Sequence, residues 1–359
     1  MPQIRPDPDR YFHLFHRSLG IHMTMQCPLE CAHCSVSSGP KRGERVDSEL
    51  LLRRLEEIGR EGHVRRLSLS GGEPFLMRPL LRAIAAWAQR YGVALYINTA
   101  GHFARSRERA LDWLGDIEGE ITIAISADRY HLPFVDMANI RHLAEAAFER
   151  EFGVALVIRV HEGEDDAFLA ELRECLGERV WRRAKLDIAP VVYAGRGASL
   201  PGAPQAAETP LEEIADTPCQ VADQPVADTD GKVYACCNTE AGRRVPALVL
   251  GDLVREGLPE MTRRADGDVL LQAIRTWGPR QLARLLQADG LAGRLTGRYR
   301  DRSICNLCED ILGDPALNAH LRKRLKTGAL RDELEAGRLL RRGEIFPPGP
   351  VRAETEPAR

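Results

Sequence analysis

Short apolar runs alternate with amphipathic stretches through the first half of the chain. Ile21-His-Met-Thr-Met25 alternates as a strand running toward Cys27. Residues 48–59 place apolar side chains at 50, 51, 52, 55 and 58, a helical stripe, and Asp47 is suited to cap it. Val64-Arg-Arg-Leu-Ser-Leu69 alternates again and meets Gly71-Gly72. The same logic predicts helices over Pro79–Tyr91, Arg105–Leu114, Val135–Phe152 (closed by Gly153) and Asp165–Leu176. It predicts strands over Val93–Ile97, Ile121–Ile125, Val154–Ile158 and Leu186–Val192, the last containing Pro190.

Six strand–helix units in succession imply an α/β fold with a parallel sheet and helices outside it. Right-handed crossovers would curve that sheet into a partial (β/α)6 barrel spanning residues 18–195. Ligands gather at the C-terminal ends of strands in such sheets. The cysteines after the first strand and the glycines after the second should therefore share one rim. Residues 1–17 read as a short polar arm, and the Gly/Pro/Ala-rich stretch 196–217 as a linker or lid. A smaller α+β module is expected over 218–312. It opens with a hairpin turning at Asp230-Gly231 and holds a helical stretch over Val269–Ala288. Residues 313–359 read as two short charged helices and a Pro-rich tail.

Charge narrows the classes. The 359 residues carry 50 Lys and Arg against 52 Asp and Glu, a formal net charge of −2, so no global basic field exists to hold nucleic acid. No apolar run approaches the roughly 18 residues of a membrane span, and the N-terminus lacks a secretory signal. The expectation is a cytoplasmic protein. Only five basic residues are Lys (Lys41, Lys185, Lys232, Lys323 and Lys326), which leaves few amines for Schiff-base chemistry.

Nine cysteines, an odd number in a chain without a secretion signal, point to metal or redox work rather than disulfides. Cys175 sits alone in an amphipathic helical pattern and reads as a small buried apolar residue. Cys27, Cys31 and Cys34 form C-x3-C-x2-C. A structural zinc site needs four ligands. Three thiolates without a local fourth suit a cubane iron–sulfur cluster with one iron open. His33, between two of these cysteines, is better placed to pack against a bound ring than to complete the set. Gly71 and Gly72 allow close backbone approach to a ligand, with Glu73 able to orient an amino group.

On Cys27-x3-Cys31-x2-Cys34 and Gly71-Gly72-Glu73-Pro74, the sequence resembles the radical SAM superfamily over roughly residues 18–195. The resemblance implies that the three cysteines hold a [4Fe–4S] cluster whose open iron chelates S-adenosylmethionine. It further implies that Gly71, Gly72, Glu73 and Pro74 line the methionine end and that His33 lies near adenine. Asn98, Ser126 and Arg159 match places that contact methionine or ribose. One-electron reduction would then cleave the sulfonium, and a 5′-deoxyadenosyl radical would abstract hydrogen from substrate.

The second cysteine group comprises Cys219, Cys236, Cys237, Cys305 and Cys308. Asp230-Gly231-Lys-Val-Tyr234-Ala-Cys236 and Leu250-Gly251-Asp252-Leu253 resemble the auxiliary-cluster module called SPASM, or its shorter form, twitch. No cysteine follows Cys308, so the twitch form with one auxiliary [4Fe–4S] cluster is expected. The spacing Gly231-x4-Cys236 favours Cys236 over Cys237 as the ligand, and adjacent strand residues face opposite ways, so only one of the two should point at the cluster. The other thiol would be buried or act near the substrate as a hydrogen-atom or proton donor.

Asp128 and His131, after the fourth strand, could take a proton as a substrate radical is oxidised, and Asp187 is a weaker candidate. The favoured activity is modification of a ribosomally made peptide by crosslinking, oxidation or epimerisation. Only 26 residues precede Cys27, few for a leader-binding domain. A dehydrogenase or epimerase of a small polyol or aminosugar is the alternative. A zinc-binding adaptor is the alternative of another class, and iron content would separate it. An external electron donor such as flavodoxin or ferredoxin is implied.

Overall fold

The computed structural model describes residues 17–342, apart from 63, 116, 118, 120, 151–153, 162–163, 190, 201–208, 220, 223 and 300–301. Residues 1–16 of the expected arm, the tail beyond 342, Phe152, Gly153, Pro190 and residues 201–208 of the expected linker lie outside the described residues; Arg17, expected in the arm, begins a strand.

Six parallel strands form the core: β1 (Arg17–Thr24), β2 (Val64–Gly71), β3 (Ala94–Thr99), β4 (Ile121–Ser126), β5 (Val154–His161) and β6 (Lys185–Ala189). Between them run α1 (Ser48–Glu61), α2 (Arg78–Tyr91), α3 (Arg107–Gly115), α4 (Met137–Glu149) and α5 (Asp166–Arg183). The strands carry large apolar residues on one face: Leu19, Ile21 and Met23 on β1, Leu67 and Leu69 on β2, Ile97 on β3, and Ile123 and Ile125 on β4 are sealed from solvent. The alternate positions are small or polar: Gly20 and His22, Ser68 and Ser70, Asn98, Ser126, and Arg159 with His161. Period-two alternation sends the first set toward the helices. The second set lines one cavity of about 510 Å³.

Local signals set the helix ends. The Asp47 carboxylate accepts the Leu50 N–H at 3.0 Å, and Gly62 ends α1 in the left-handed region at φ 70°. Trp87 of α2, fully buried, donates its indole N–H to the Leu55 carbonyl at 2.9 Å and fastens α2 to α1. Helix α5 runs past Leu176 to Arg183, across a kink where Gly177 has φ 74°.

The C-terminal part continues the same sheet. After the short ribbon of β7 (Thr209–Pro210), β8 (Val226–Ala227) pairs parallel with β1, Gly20 opposite Val226. β9 (Lys232–Tyr234) and β10 (Val249–Asp252) follow antiparallel. The nine-stranded order is β10-β9-β8-β1-β2-β3-β4-β5-β6. Helix α6 (Thr239–Arg244) follows β9. Helix α7 (Leu258–Gly267) packs against β10, and α8 (Val269–Thr276) and α9 (Pro279–Ala288) follow it, α8 packing on α7 and α9 on α8. The single helix expected over 269–288 is two, because Gly278-Pro279 interrupts it. β11 (Arg298–Tyr299) pairs with β7, and α10 (Ile304–Gly313), α11 (Pro315–Arg324) and α12 (Gly328–Arg342) close the described chain. Among the described residues, no helix is long and apolar enough to cross a membrane.

Candidate active site

The loop between β1 and α1 carries Cys27, Cys31 and Cys34. It folds on itself: Cys27 N–H donates to the Gly39 carbonyl at 3.1 Å, and Cys34 N–H to that of Cys31 at 3.1 Å. All three cysteines line the cavity at the strand ends. Burial pushes the Cys27 and Cys31 thiols up to about 12. Glu73 then adds to the shift at Cys27, as the neighbouring thiols do at Cys31. Three crowded thiols that repel one another when ionised are a donor set that a cationic metal cluster relieves. The residues present fit such a cluster.

The two glycines close the rim. A Cβ at Gly71 would stand 2.5 Å from the Thr24 carbonyl oxygen, and one at Gly72 2.1 Å from that of Gln26. Only glycine lets the end of β2 approach the root of the cysteine loop this closely. Glu73 is buried (1% exposed), and its carboxylate is engaged. It accepts from the Thr99 hydroxyl at 2.9 and 3.0 Å, the Ala100 N–H at 3.1 Å and the Phe75 N–H at 3.2 Å. Gly71, Gly72 and Glu73 line the cavity. Pro74 instead opens the one-turn helix Pro74–Met77 beneath it.

Across the cavity, Arg159 is held by three partners. It donates to the Asp187 carboxylate at 2.9 Å, Asn98 Oδ1 at 3.2 Å and the Tyr96 hydroxyl at 3.2 Å. Register explains the convergence: Ser126 lies opposite Arg159, and Arg159 opposite Asp187. Asp187 is therefore an anchor for a cation.

Asp128 sits at the centre of a histidine nest. Its Oδ1 accepts the N–H groups of Tyr130 and His131 at 3.0 and 3.2 Å, and His131 Nδ1 lies 2.9 Å from both oxygens. Nε2 of His161 and of His33 lie 3.5 and 3.8 Å from Oδ2. Burial alone would raise the Asp128 carboxyl, but the His131 contact and the three imidazoles hold it below its ordinary value. Burial also pulls His33 down to about 4, so it is neutral, stacked 4.6 Å from the Tyr130 ring.

The sequence reading missed Thr99, His161 and Arg196 as lining residues of this cavity. His161 was within reach, since it follows Arg159 by two positions on the same strand. Arg196, in a Gly-Arg-Gly stretch read as linker, offered no such signal.

The remaining cysteines, Cys175 aside, meet in a second cavity of about 540 Å³, lined by Cys219, Cys236, Cys237, Cys305 and Cys308. Cys305 and Cys308 stand three residues apart on the first turns of α10, and burial raises the Cys308 thiol well above its ordinary value. Cys236 and Cys237 lie beyond β9 in a bend, so strand alternation does not govern them. Cys236 lines this second cavity, whereas Cys237 lines both cavities. The hydrogen bond between the pair raises the Cys236 thiol and draws Cys237 down to about 7.

Residues 21–172 match the Radical SAM superfamily and belong to it. The chain is a radical SAM enzyme, and that family works with a [4Fe–4S] cluster and S-adenosylmethionine. Among curated proteins, YydG of Bacillus subtilis strain 168, named for peptide biosynthesis, is 21% identical over 309 residues, spanning 82% of this chain and 92% of that protein. Among solved structures, BtrN in complex with AdoMet and 2-DOIA has a TM-score of 0.42 at 14% identity, covering 74% of this chain and 90% of that one. Streptococcus suis SuiB bound to the precursor peptide SuiA has a TM-score of 0.38 at 12% identity, covering 86% and 73%.

Proposed function

We propose that this chain epimerises a residue of a ribosomally made peptide, with Cys237 returning a hydrogen atom to the substrate. The observation that carries this is the position of Cys237 in the wall shared by the two cysteine-lined cavities. The end-to-end likeness to YydG, a protein named for peptide biosynthesis, supports a peptide substrate. Cys27, Cys31 and Cys34 would hold one [4Fe–4S] cluster, and Cys219, Cys236, Cys305 and Cys308 an auxiliary one in a twitch-like module over 218–312. When bound, these groups with S-adenosylmethionine supply a hydrogen-abstracting radical and single electrons.

The protein's own residues do the rest. Gly71 and Gly72 give backbone access at the methionine end, and Asn98, Ser126 and Arg159 form the opposite polar wall. His33 presents a neutral ring toward adenine. After a Cα–H bond of the substrate is broken, the Cys237 S–H gives its hydrogen atom to the carbon radical from another side. The resulting thiyl regains one electron and one proton, the electron coming ultimately from a flavodoxin- or ferredoxin-class donor in the reducing cytoplasm. The peptide product keeps its composition and inverts one centre.

Oxidation is the second reading, favoured by His131 held on Asp128 as a proton acceptor at the same cavity. Turnover in D2O with a pooled library of synthetic L-peptides separates the two. Epimerisation adds one non-exchangeable deuterium and a D-residue; oxidation removes two hydrogens and adds none. Cys237→Ser should keep 5′-deoxyadenosine formation and lose deuterium uptake. Unchanged uptake in that variant overturns the role of Cys237. Iron per chain should be about eight after reconstitution, and about four when Cys27, Cys31 and Cys34 are all Ala. Zinc in place of iron would leave only the adaptor reading.

A further inference from the structure

The segment after β6 does more than connect. Gly195–Ser199 forms a single helical turn pressed against the backbone of the cysteine loop. Arg196 donates its N–H to the Cys34 carbonyl and its Nε–H to the Cys31 carbonyl, each at 3.0 Å. Both carbonyls belong to thiol-bearing residues. The flanking glycines make the approach possible. A Cβ at Gly195 would stand 2.6 Å from the carbonyl oxygens of Cys34 and Ser35, and one at Gly197 3.0 Å from that of His33. Gly195 also takes φ 53°, in the left-handed region. Arg196 thus reaches the cavity lined by Cys27, Cys31 and Cys34 from a bracket that no bulkier sequence could form.

We infer that Arg196 is a positioning residue for the cluster of Cys27, Cys31 and Cys34: it clamps the loop and sets a permanent cation beside the cluster. This rests on the proposal that those three cysteines hold the cluster. One-electron reduction adds a negative charge to the group they bind. A fixed guanidinium nearby favours that reduced state, and guanidinium remains charged at every working pH. The clamp and the cation act on the same loop but are separable by substitution. Lys keeps the charge and loses the fork. Gln loses the charge.

The test is EPR-monitored potentiometry with dithionite on the reconstituted full chain, following the signal that shifts on adding S-adenosylmethionine. Iron per chain is measured on every sample. In Arg196→Gln the reduced-to-oxidised ratio at fixed potential should fall at least tenfold, about 59 mV for a one-electron couple. Arg196→Lys should stay within threefold of the parent. Loss of iron from the Gln variant alone also supports the cation. A Gln variant with full iron and an unchanged ratio overturns the inference. So does a Lys variant that falls as far as Gln, or loss of iron from both, since the residue would then be only a clamp. Failure of the underlying cluster assignment looks different: replacing Cys27, Cys31 and Cys34 by Ala would leave the iron content of the parent unchanged.

Discussion

Gly72→Ala should unseat the active-site rim, and the size of the effect follows from the backbone. The new Cβ would lie 2.1 Å from the Gln26 carbonyl oxygen and 2.6 Å from its carbon. Neither neighbour is the end of a flexible side chain, so the strand end and the cysteine loop must part by about 1 Å. Two hydrogen bonds span the gap: Gly72 N–H to the Thr24 carbonyl at 2.5 Å and Glu73 N–H to that of Gln26 at 2.9 Å. Losing them costs about 1 kcal/mol each, and overpacking adds about 1–3 kcal/mol. A destabilisation of about 3–5 kcal/mol is expected, with a drop in retained iron because Gln26 adjoins Cys27. Urea unfolding followed by circular dichroism and iron analysis after reconstitution measure both. The control is Gly43→Ala, where the added Cβ meets nothing within 4 Å and φ is unremarkable. It should be neutral or stabilise by up to about 1 kcal/mol. If Gly72→Ala unfolds within about 0.5 kcal/mol of the parent and keeps its iron, the steric reasoning is wrong, since surface-like tolerance has that size.

Three further outcomes are expected. Asp47→Ala should cost about 1 kcal/mol in urea unfolding through loss of the α1 cap, and Asp47→Asn should recover most of it. Trp87→Phe should cost about 2 kcal/mol, combining lost volume in a sealed core site with loss of the Leu55 contact. Asp228 is buried, which alone would raise its carboxyl, yet His22 and the Thr229 N–H hold it at about 2 against an ordinary 3.8. Its folded value is depressed, so its contribution is complete above pH 4 and is lost as pH falls toward 2. That contribution is worth about 2 kcal/mol. In the parent, stability from urea unfolding should drop across that window, and Asp228→Asn should flatten the drop; equal slopes would refute the assignment.

Most of the first half of the fold is legible because period-two and helical stripes carry it. Leu67 and Leu69 against Ser68 and Ser70 disclose both the strand and the face that meets the cavity. Asp47 announces its helix. The active-site rim is legible for the same reason, since motifs following successive parallel strands must share one end. Long-range packing was not. Nothing local says that β8 adds to β1, since Val226–Ala227 is two residues long and its register is set by Gly20 and Ile21, far back in the chain. The Gly-Arg-Gly bracket has the composition of a linker, and only the carbonyls it meets distinguish the two. Asp187 looked like a spare base because its partner Arg159 lies on another strand. That only one of Cys236 and Cys237 should face the cluster was argued from strand alternation, whereas the pair occupies a bend.

The pairing of β1 with β8 has a consequence for how the chain is made. β1 is among the first described segments to leave the ribosome, yet its outer neighbour begins only at Val226. At ordinary synthesis rates that interval lasts about 10–40 s. Throughout it, a strand carrying Leu19, Ile21 and Met23 presents an unpaired edge, an invitation to intermolecular pairing. The contact order of the sheet is correspondingly high, which slows folding. A chain cut before residue 226 should therefore accumulate as aggregate even though all six core strands are present, and slowing initiation relative to elongation should raise the yield of the full-length enzyme.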